Sequence, residues 1–469
     1  MIKLSTTKLK LNHMLNNNKK FKTYLGGLIV LIIAIVGAIL LINSHAATPY
    51  GSLEANSGTL SGNSSTQSCS GAVDGNCVIF NTGGGDGGSA VAPIASMDQN
   101  QGQENYIGNS AVYKYVILQD SMASAYPNLI PEIHAANPNT QVLMYADGAF
   151  IYVPPNGQCP DSYGINISAP VDTCDVSSQG NSSWYLTGSP VGVQGYSYYD
   201  WGNIGSTSYA NQWVTNASST AKKLGFDGIF MDDTNTNIGH GLSSIGGYND
   251  DTYGAAMVTF FNEVAAGLHN NGLIVVPNVS DDAYGTQEQY TEEIAKNADA
   301  VFQEFFMNWG SGITLFSGTQ WQDYLQEEIN VGNISNFYGN TYDSNAVNFS
   351  NPAAQDIQVM EYGRASFLLG WNGKAGSAYQ YHDDNDNNED SVNMFNSIWT
   401  ASVGSPSGSY SVQSNGLYQR SFTNGLVIVN PTTSTLSENL GATYTDTENN
   451  TQVNSVSLPA TSAIILSNN

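Results

Sequence analysis

Residues 224–234 read Leu-Gly-Phe-Asp-Gly-Ile-Phe-Met-Asp-Asp-Thr, a short apolar run that stops on two adjacent carboxylates, Asp232 and Asp233. Acids at the C-terminal end of a strand in a parallel α/β barrel stand on the face where such barrels place chemistry. Other strand-like runs end in the same manner, on Asp120, Asp147, Asp200 with Trp201, Asn278, Glu304, and the group Tyr381, His382, Asp383 and Asp384. Cleavage of a glycosidic bond needs two carboxyl groups flanking the bond, one protonated to release the leaving sugar and one ionised to attack or to activate water. The chain has no Gly-x-Ser-x-Gly elbow, no Walker loop and no His-Glu-x-x-His motif, so no other common hydrolytic chemistry is offered so directly.

Within this set the pattern selects Asp232 as nucleophile or base and Glu304 as acid, because the fourth and sixth strands of a barrel face each other across its mouth. Adjacent residues of a strand point to opposite faces. Asp232 shares the side of Phe230 and Gly228, and Asp233 is the alternative. Asp120, Asp147, Asp200 and Asn278 are candidate sugar-binding groups, although an Asp after a strand also serves as a helix N-cap. Glu304 continues into Phe305 and Phe306, and a carboxylate inside an apolar run needs a partner or a purpose. Trp201, Phe306, Trp309, Trp371 and Tyr381 could stack on sugar rings, Trp309 in its Asn-Trp-Gly-Ser-Gly loop above all, while aromatic residues of this kind also fill cores. Residues 382–390, His-Asp-Asp-Asn-Asp-Asn-Asn-Glu-Asp, have oxygen ligands at calcium-like density but lack the glycine and terminal glutamate of a calcium loop. They read as a solvated acidic loop; no metal and no cofactor is expected.

These residues must be positioned by strand-helix units. Apolar runs at 115–119, 141–145, 196–199, 228–231, 273–276, 300–305, 336–341 and 377–381 make eight strands, with helix-period runs between them. Ala210, Trp213, Val214, Ala217, Ala221 and Leu224 share one helix face, and Tyr253, Met257, Phe260, Phe261, Val264 and Leu268 another. Residues 148–183, rich in Pro, Gly, Asn and Ser, form a connection long enough to wall a cleft. Residues 391–403 read as the last barrel helix. After residue 405 the pattern changes to short alternating strands separated by Asn-Gly, Asn-Pro and Asn-Asn turns, a small antiparallel β-sandwich. The expected fold is therefore α/β, a (β/α)8 TIM barrel over residues 93–404 with its first strand near Tyr113, then a sandwich over 405–469.

Upstream, residues 1–24 form a basic tail and residues 25–42 an uncharged apolar segment, just long enough to cross a bilayer as a helix. Lys19, Lys20 and Lys22 precede it and favour a cytoplasmic N-terminus, with the remainder outside as a single-pass cell-membrane protein. Cleavage after a signal segment at Ser44-His45-Ala46, giving a secreted protein, is the alternative. Residues 48–82 read as a disulfide-pinned β fragment resembling the opening strands of a sugar-binding sandwich, and 83–92 as a Gly-rich linker. The cysteines fall into two local pairs, Cys69 with Cys77 and Cys159 with Cys174, which suit disulfides in an oxidising compartment better than zinc. Beyond the apolar segment stand 7 basic against 39 acidic residues, a balance of −32 that repels nucleic acid and favours neutral or cationic ligands.

Several motifs carry a family likeness. Trp184-Tyr185-Leu186, Tyr199-Asp200-Trp201-Gly202-Asn203, the Phe-Asp-Gly-Ile-Phe-Met-Asp-Asp of residues 226–233, residues 365–369 and the Gly-Leu-Val-Ile-Val-Asn-Pro of residues 425–431 together resemble the extracellular family-15-like hypothetical glycosyl hydrolases. These are related more distantly to endo-α-1,4-polygalactosaminidases. The likeness spans about residues 113–466. It implies a TIM barrel, hydrolysis of a sugar polymer, and a catalytic acid after the fourth strand, here Asp232 or Asp233. A non-catalytic sugar-binding surface protein, a lectin or adhesin on the same scaffold, is the rival expectation.

Overall fold

The structure is a computed structural model of the 469-residue chain. It describes residues 113–154, 169–279, 287–309, 314–343, 353–383 and 401–469, together with the backbone of three upstream strands, Ser64–Ser68, Asn76–Phe80 and Ile94–Asp98. The chain divides into two compact units, Met1–Gly88 and Ser89–Asn469. In the first, Ser64–Ser68 and Asn76–Phe80 pair antiparallel, with Cys77 opposite Gln67. The apolar segment 25–42, Cys69, Cys159 and the expected helix 391–403 lie outside the described residues, apart from Ala401–Val403, which are not helical. Among the described residues no helix is long and apolar enough to cross a membrane.

The second unit is a mixed α/β fold built on eight parallel strands: β1 (Ile94–Asp98), β2 (Tyr113–Leu118), β3 (Gln141–Asp147), β4 (Gly228–Asp232), β5 (Ile274–Pro277), β6 (Val301–Gln303), β7 (Phe337–Asp343) and β8 (Ala378–Asp383). Their order in the sheet is β5-β4-β3-β2-β1-β8-β7-β6. Asn278, just past β5, makes a parallel bridge to Phe302 of β6, so the two end strands are also joined. Tyr115, Ile117, Leu143, Phe230, Val276, Phe302, Tyr338 and Ala378 pack together on the inner face. The outer face packs on the helices in a larger cluster.

One expected strand is corrected. Residues 196–199 are not in this sheet; Tyr196–Trp201 pairs with Phe150–Tyr152 and Gly192–Val193 in a separate three-stranded antiparallel sheet. A strand of the parallel sheet is covered on both faces, whereas Tyr196 and Tyr198 are exposed. The eighth strand is instead β1, so the sheet starts before Tyr113. The long connection after β3 holds this small sheet, a helix at Thr173–Gln179, and Cys174, which is disulfide-bonded.

The helix periodicities hold. α1 (Thr207–Leu224) begins on Ser206, whose side chain accepts from the Tyr209 backbone N–H, and ends on Gly225 at φ 89°, a left-handed turn that a Cβ would strain. Its Tyr209, Ala210, Trp213, Ala217 and Ala221 are buried; α2 (Asp250–Asn270) buries Tyr253, Met257, Phe260, Phe261, Val264 and Leu268. α3 (Ala354–Gly370) differs, because every residue from 359 to 370 is buried. A helix covered all round needs a second layer outside it.

That layer is the C-terminal region. Its strands, Ser411–Val412, Tyr418–Phe422, Gly425–Asn430, Leu436–Asp446, Thr451–Leu458 and Ser462–Asn468, form one continuous six-stranded antiparallel sheet rather than two separate sheets. The long strand Leu436–Asp446 pairs with two partners and shifts register between Asn439 and Tyr444. Both faces of Gly425–Asn430 are buried, Val427 and Val429 in the main core and Leu426 and Ile428 in a local one. Arg420 ties the layers together: its Nη1 donates to the carbonyls of Leu368, Leu369 and Trp371 at 3.0, 2.8 and 2.7 Å. These are orphan carbonyls at the end of α3, where a cation also meets the favourable end of the helix dipole. Arg420→Ala should lower unfolding free energy by about 2–4 kcal/mol, read as a shifted urea midpoint, because bonds to a charged donor are lost.

Candidate active site

Alternation along four neighbouring strands builds the polar rim. The inward residues are Leu143 and Tyr145 on β3, Phe230 on β4, Val276 on β5 and Phe302 on β6. Continuing the two-residue period to the C-terminal end of each strand gives Asp147, Asp232, Asn278 and Glu304. Side chains from far-apart segments of the chain therefore meet at one mouth of the sheet.

Asn278 stands between the two expected carboxylates. Its Nδ2 donates to Asp232 Oδ1 at 2.8 Å and to Glu304 Oε2 at 2.9 Å. Asp232 Oδ1 also accepts the Asp233 backbone N–H at 2.9 Å, and its Oδ2 accepts the Tyr145 hydroxyl. Three donors converging on one carboxylate favour its ionised, acceptor-only form. Burial nevertheless lifts the Asp232 carboxyl to about 6, aided by the charge of Asp233 and opposed by the three hydrogen bonds. Burial also lifts the Tyr145 phenol well above its usual range, with the Asp232 and Asp147 charges adding to the effect. Backbone geometry fixes Asp232 as well. Gly148 donates its N–H to the Asp232 carbonyl at 2.8 Å, and a Cβ on Gly148 would fall 2.8 Å from that same oxygen.

Asp233 resolves an apparent conflict with alternation. Its φ of 46° is left-handed, an uncommon state for a non-glycine residue. β4 has ended at Asp232, so Asp233 is freed from the pleat. Its Oδ1 accepts from Asn235 Nδ2 at 3.3 Å and lies 3.5 Å from His240 Nε2. Asp147 is its other neighbour. Burial, then the charges of Asp233 and Asp232, hold the Asp147 carboxyl well above the usual range, and a side-chain hydrogen bond to Asp233 acts in the same direction. Asp147 Oδ1 also accepts the Phe150 N–H at 2.8 Å.

Three residues of this site carried no chemical signal in the sequence. Tyr145 shares the parity of Asp147 and could have been found by extending the alternation inward. Tyr196 and His240 arrive by tertiary placement. The Tyr196 phenol is raised to about 12 by burial and then by the charges of Asp233, Asp232, Glu304 and Asp147, while its residue stays 48% exposed. The His240 ring packs edge-on against Tyr196, Phe150 and Trp201.

The remaining candidates lie elsewhere. Asp120 is buried in the first turn of the short helix Asp120–Ala125 after β2. Asp200 is buried in the three-stranded sheet, opposite Ile151 and Gly192. Trp201 is 1% exposed and packs on Phe150, His240 and Tyr253, which makes it a floor beneath the site rather than a sugar platform. Phe306, Trp371 and Tyr381 are core, since Tyr381 takes the outward parity of β8 beside Tyr379. Trp309 pairs through its backbone with Thr314, and Asp383 ends β8; the side chains of both, and residues 384–390, lie outside the described set. Among the described residues no group of His, Cys, Asp or Glu is arranged to hold a metal ion.

No curated protein matches the chain. Among solved structures it is similar to the cycloalternan-degrading enzyme from Trueperella pyogenes, with 9% identity, a TM-score of 0.42, and coverage of 81% of this chain and 62% of that one. It is also similar to the cycloalternan-forming enzyme from Listeria monocytogenes, with 11% identity, a TM-score of 0.41, and coverage of 80% and 41%. The spore cortex-lytic enzyme SleL of Bacillus megaterium QM B1551 gives 10% identity and a TM-score of 0.32, covering 58% of each chain. The chain thus spans less than two thirds of the first of these proteins, and likenesses at this level carry no argument about substrate. The sequence profile described as hypothetical glycosyl hydrolase family 15 matches residues 134–426, more than half of the chain and the whole of the acidic rim, and the chain belongs to that family.

Proposed function

We propose that the chain is an exported glycoside hydrolase on a (β/α)8 barrel, in which Asp232 and Glu304 act as the carboxyl pair on an extracellular polysaccharide. The observation that carries this reading is the single Asn278 amide shared by both acids, which holds them across one cleft. Family membership supports it. Asp232, ringed by donors, is the ionised partner, and Glu304 supplies the proton to the leaving sugar. The acidic surface favours a neutral or amino-bearing glycan over an anionic one. Residues 25–42 would hold the protein at the membrane or direct its secretion. The test is release of new reducing ends by the full chain from dextran, starch, chitosan and bacterial wall polysaccharides. Glycan retention without new reducing ends on any of them would instead make the protein a lectin.

Two further results are expected. Protonation of Asp232 removes the ionised partner, so kcat/KM should fall about tenfold per pH unit below its value of about 6, measured under pseudo-first-order conditions. Tyr196→Ala removes an exposed ring at the cleft and should raise KM roughly tenfold, about 1–1.5 kcal/mol, while Tyr196→Phe keeps most of the stacking and most of the affinity. Unchanged KM in Tyr196→Ala would remove the ring from the binding surface.

A further inference from the structure

The stereochemical course follows from how closely Asn278 draws the two acids together. One nitrogen donates to Asp232 Oδ1 at 2.8 Å and Glu304 Oε2 at 2.9 Å. Those two oxygens are therefore no more than about 6 Å apart; retaining glycosidases hold their carboxyl groups ~5–5.5 Å apart and inverting ones ~6.5–9.5 Å. The inverting distance exists to seat a water between base and sugar, and the two oxygens bridged by Asn278 lie inside it. Resting on the hydrolase reading above, we infer that the enzyme retains anomeric configuration through a covalent glycosyl ester on Asp232.

The role of Asp232 follows from its donors. Asp232 accepts from Tyr145, Asn278 and the Asp233 N–H, all of which orient lone pairs and stabilise an anion. Its pleat parity, shared with Phe230, aims it across the inner mouth. Gly148 pins its backbone from the neighbouring strand. In the first step an Asp232 oxygen forms a bond to the anomeric carbon as the glycosidic C–O bond breaks. The electron pair leaves on the aglycone oxygen, which takes the proton of Glu304. In the second step water gives a proton to the Glu304 carboxylate as its oxygen attacks the same carbon, and the C–O bond to Asp232 breaks, regenerating both acids. A sugar hydroxyl can take the place of that water, so the same site should join glycosyl groups to an added acceptor.

The experiment uses the full chain with 4-nitrophenyl α- and β-glucosides, galactosides and N-acetylglucosaminides, and follows the first-formed sugar by proton NMR before mutarotation. A product with the anomeric configuration of its substrate is expected. Intact-mass analysis after incubation with the matching 2-deoxy-2-fluoro or 5-fluoro glycosyl fluoride should show one fluorosugar per chain, absent from Asp232→Asn and present in Glu304→Gln. An inverted first product overturns the inference and leaves the hydrolase reading intact. A label on any residue other than Asp232 overturns the assignment of the nucleophile. No turnover of these glycosides or of the polysaccharides named above removes the hydrolase reading, and the inference with it.

Discussion

Asp232→Asn should lower kcat by roughly 10⁴-fold or more, with KM for the same glycan within about threefold of wild type. The carboxylate oxygen is the atom that attacks, and an amide in its place is neutral and a poor nucleophile. The shape is nearly unchanged, because asparagine can still accept from Asn278 and the Asp233 N–H through its carbonyl oxygen. Stability should not fall with activity. Removing one negative charge from a rim that already holds Asp233, Asp147 and Glu304 relieves repulsion, so the thermal midpoint of Asp232→Asn should equal or exceed that of the wild type at neutral pH. A variant that loses activity because it unfolds would refute this account, and circular dichroism melts recorded with the kinetics separate the cases.

Glu304→Gln should be nearly as damaging on natural glycans, by about 10²–10⁴ in kcat, since an amide cannot protonate a departing sugar oxygen. The informative quantity is the dependence on leaving group. With 2,4-dinitrophenyl glycosides, whose phenolate departs without help, the first step should proceed at close to the wild-type rate, and added azide should restore turnover by replacing the water that Glu304 no longer activates. Equal losses on both substrate types would show that Glu304 holds the sugar rather than protonating it. The hydrogen bond from Asn278 at 2.9 Å is the link that would let Asn278→Ala disturb both acids at once.

Much of this arrangement was legible from residue types. The apolar run ending on Asp232 and the helix stripes of α1 and α2 led to the right elements because each follows from local periodicity. Their places at the ends of strand-like runs marked Asp147, Asn278 and Glu304 as companions of Asp232. What could not be read was long-range. Residues 196–199 have the composition of a strand and are one, but nothing local distinguishes a strand of the parallel sheet from one in an excursion above it. The displaced place went to β1, a five-residue strand of modest hydrophobicity whose partners β2 and β8 lie on either side of it only in the folded sheet. The choice between Asp232 and Asp233 assumed that the pleat continues. It does not: the strand ends at Asp232 and the Asp233 backbone is left-handed.

The burial of α3 on every side bears on how the protein can be produced. Its outer surface is sealed by Val427, Val429 and Ile465, while Glu361 accepts the Ile465 N–H at 3.1 Å and Gln358 reaches the Thr461 carbonyl at 2.9 Å. A recombinant fragment trimmed at residue 404 would leave that greasy helix wet and its last carbonyls uncapped, inviting inclusion bodies. Soluble preparations should therefore be sought by shortening the polypeptide from its beginning, with the final sixty-odd residues retained as an integral wall.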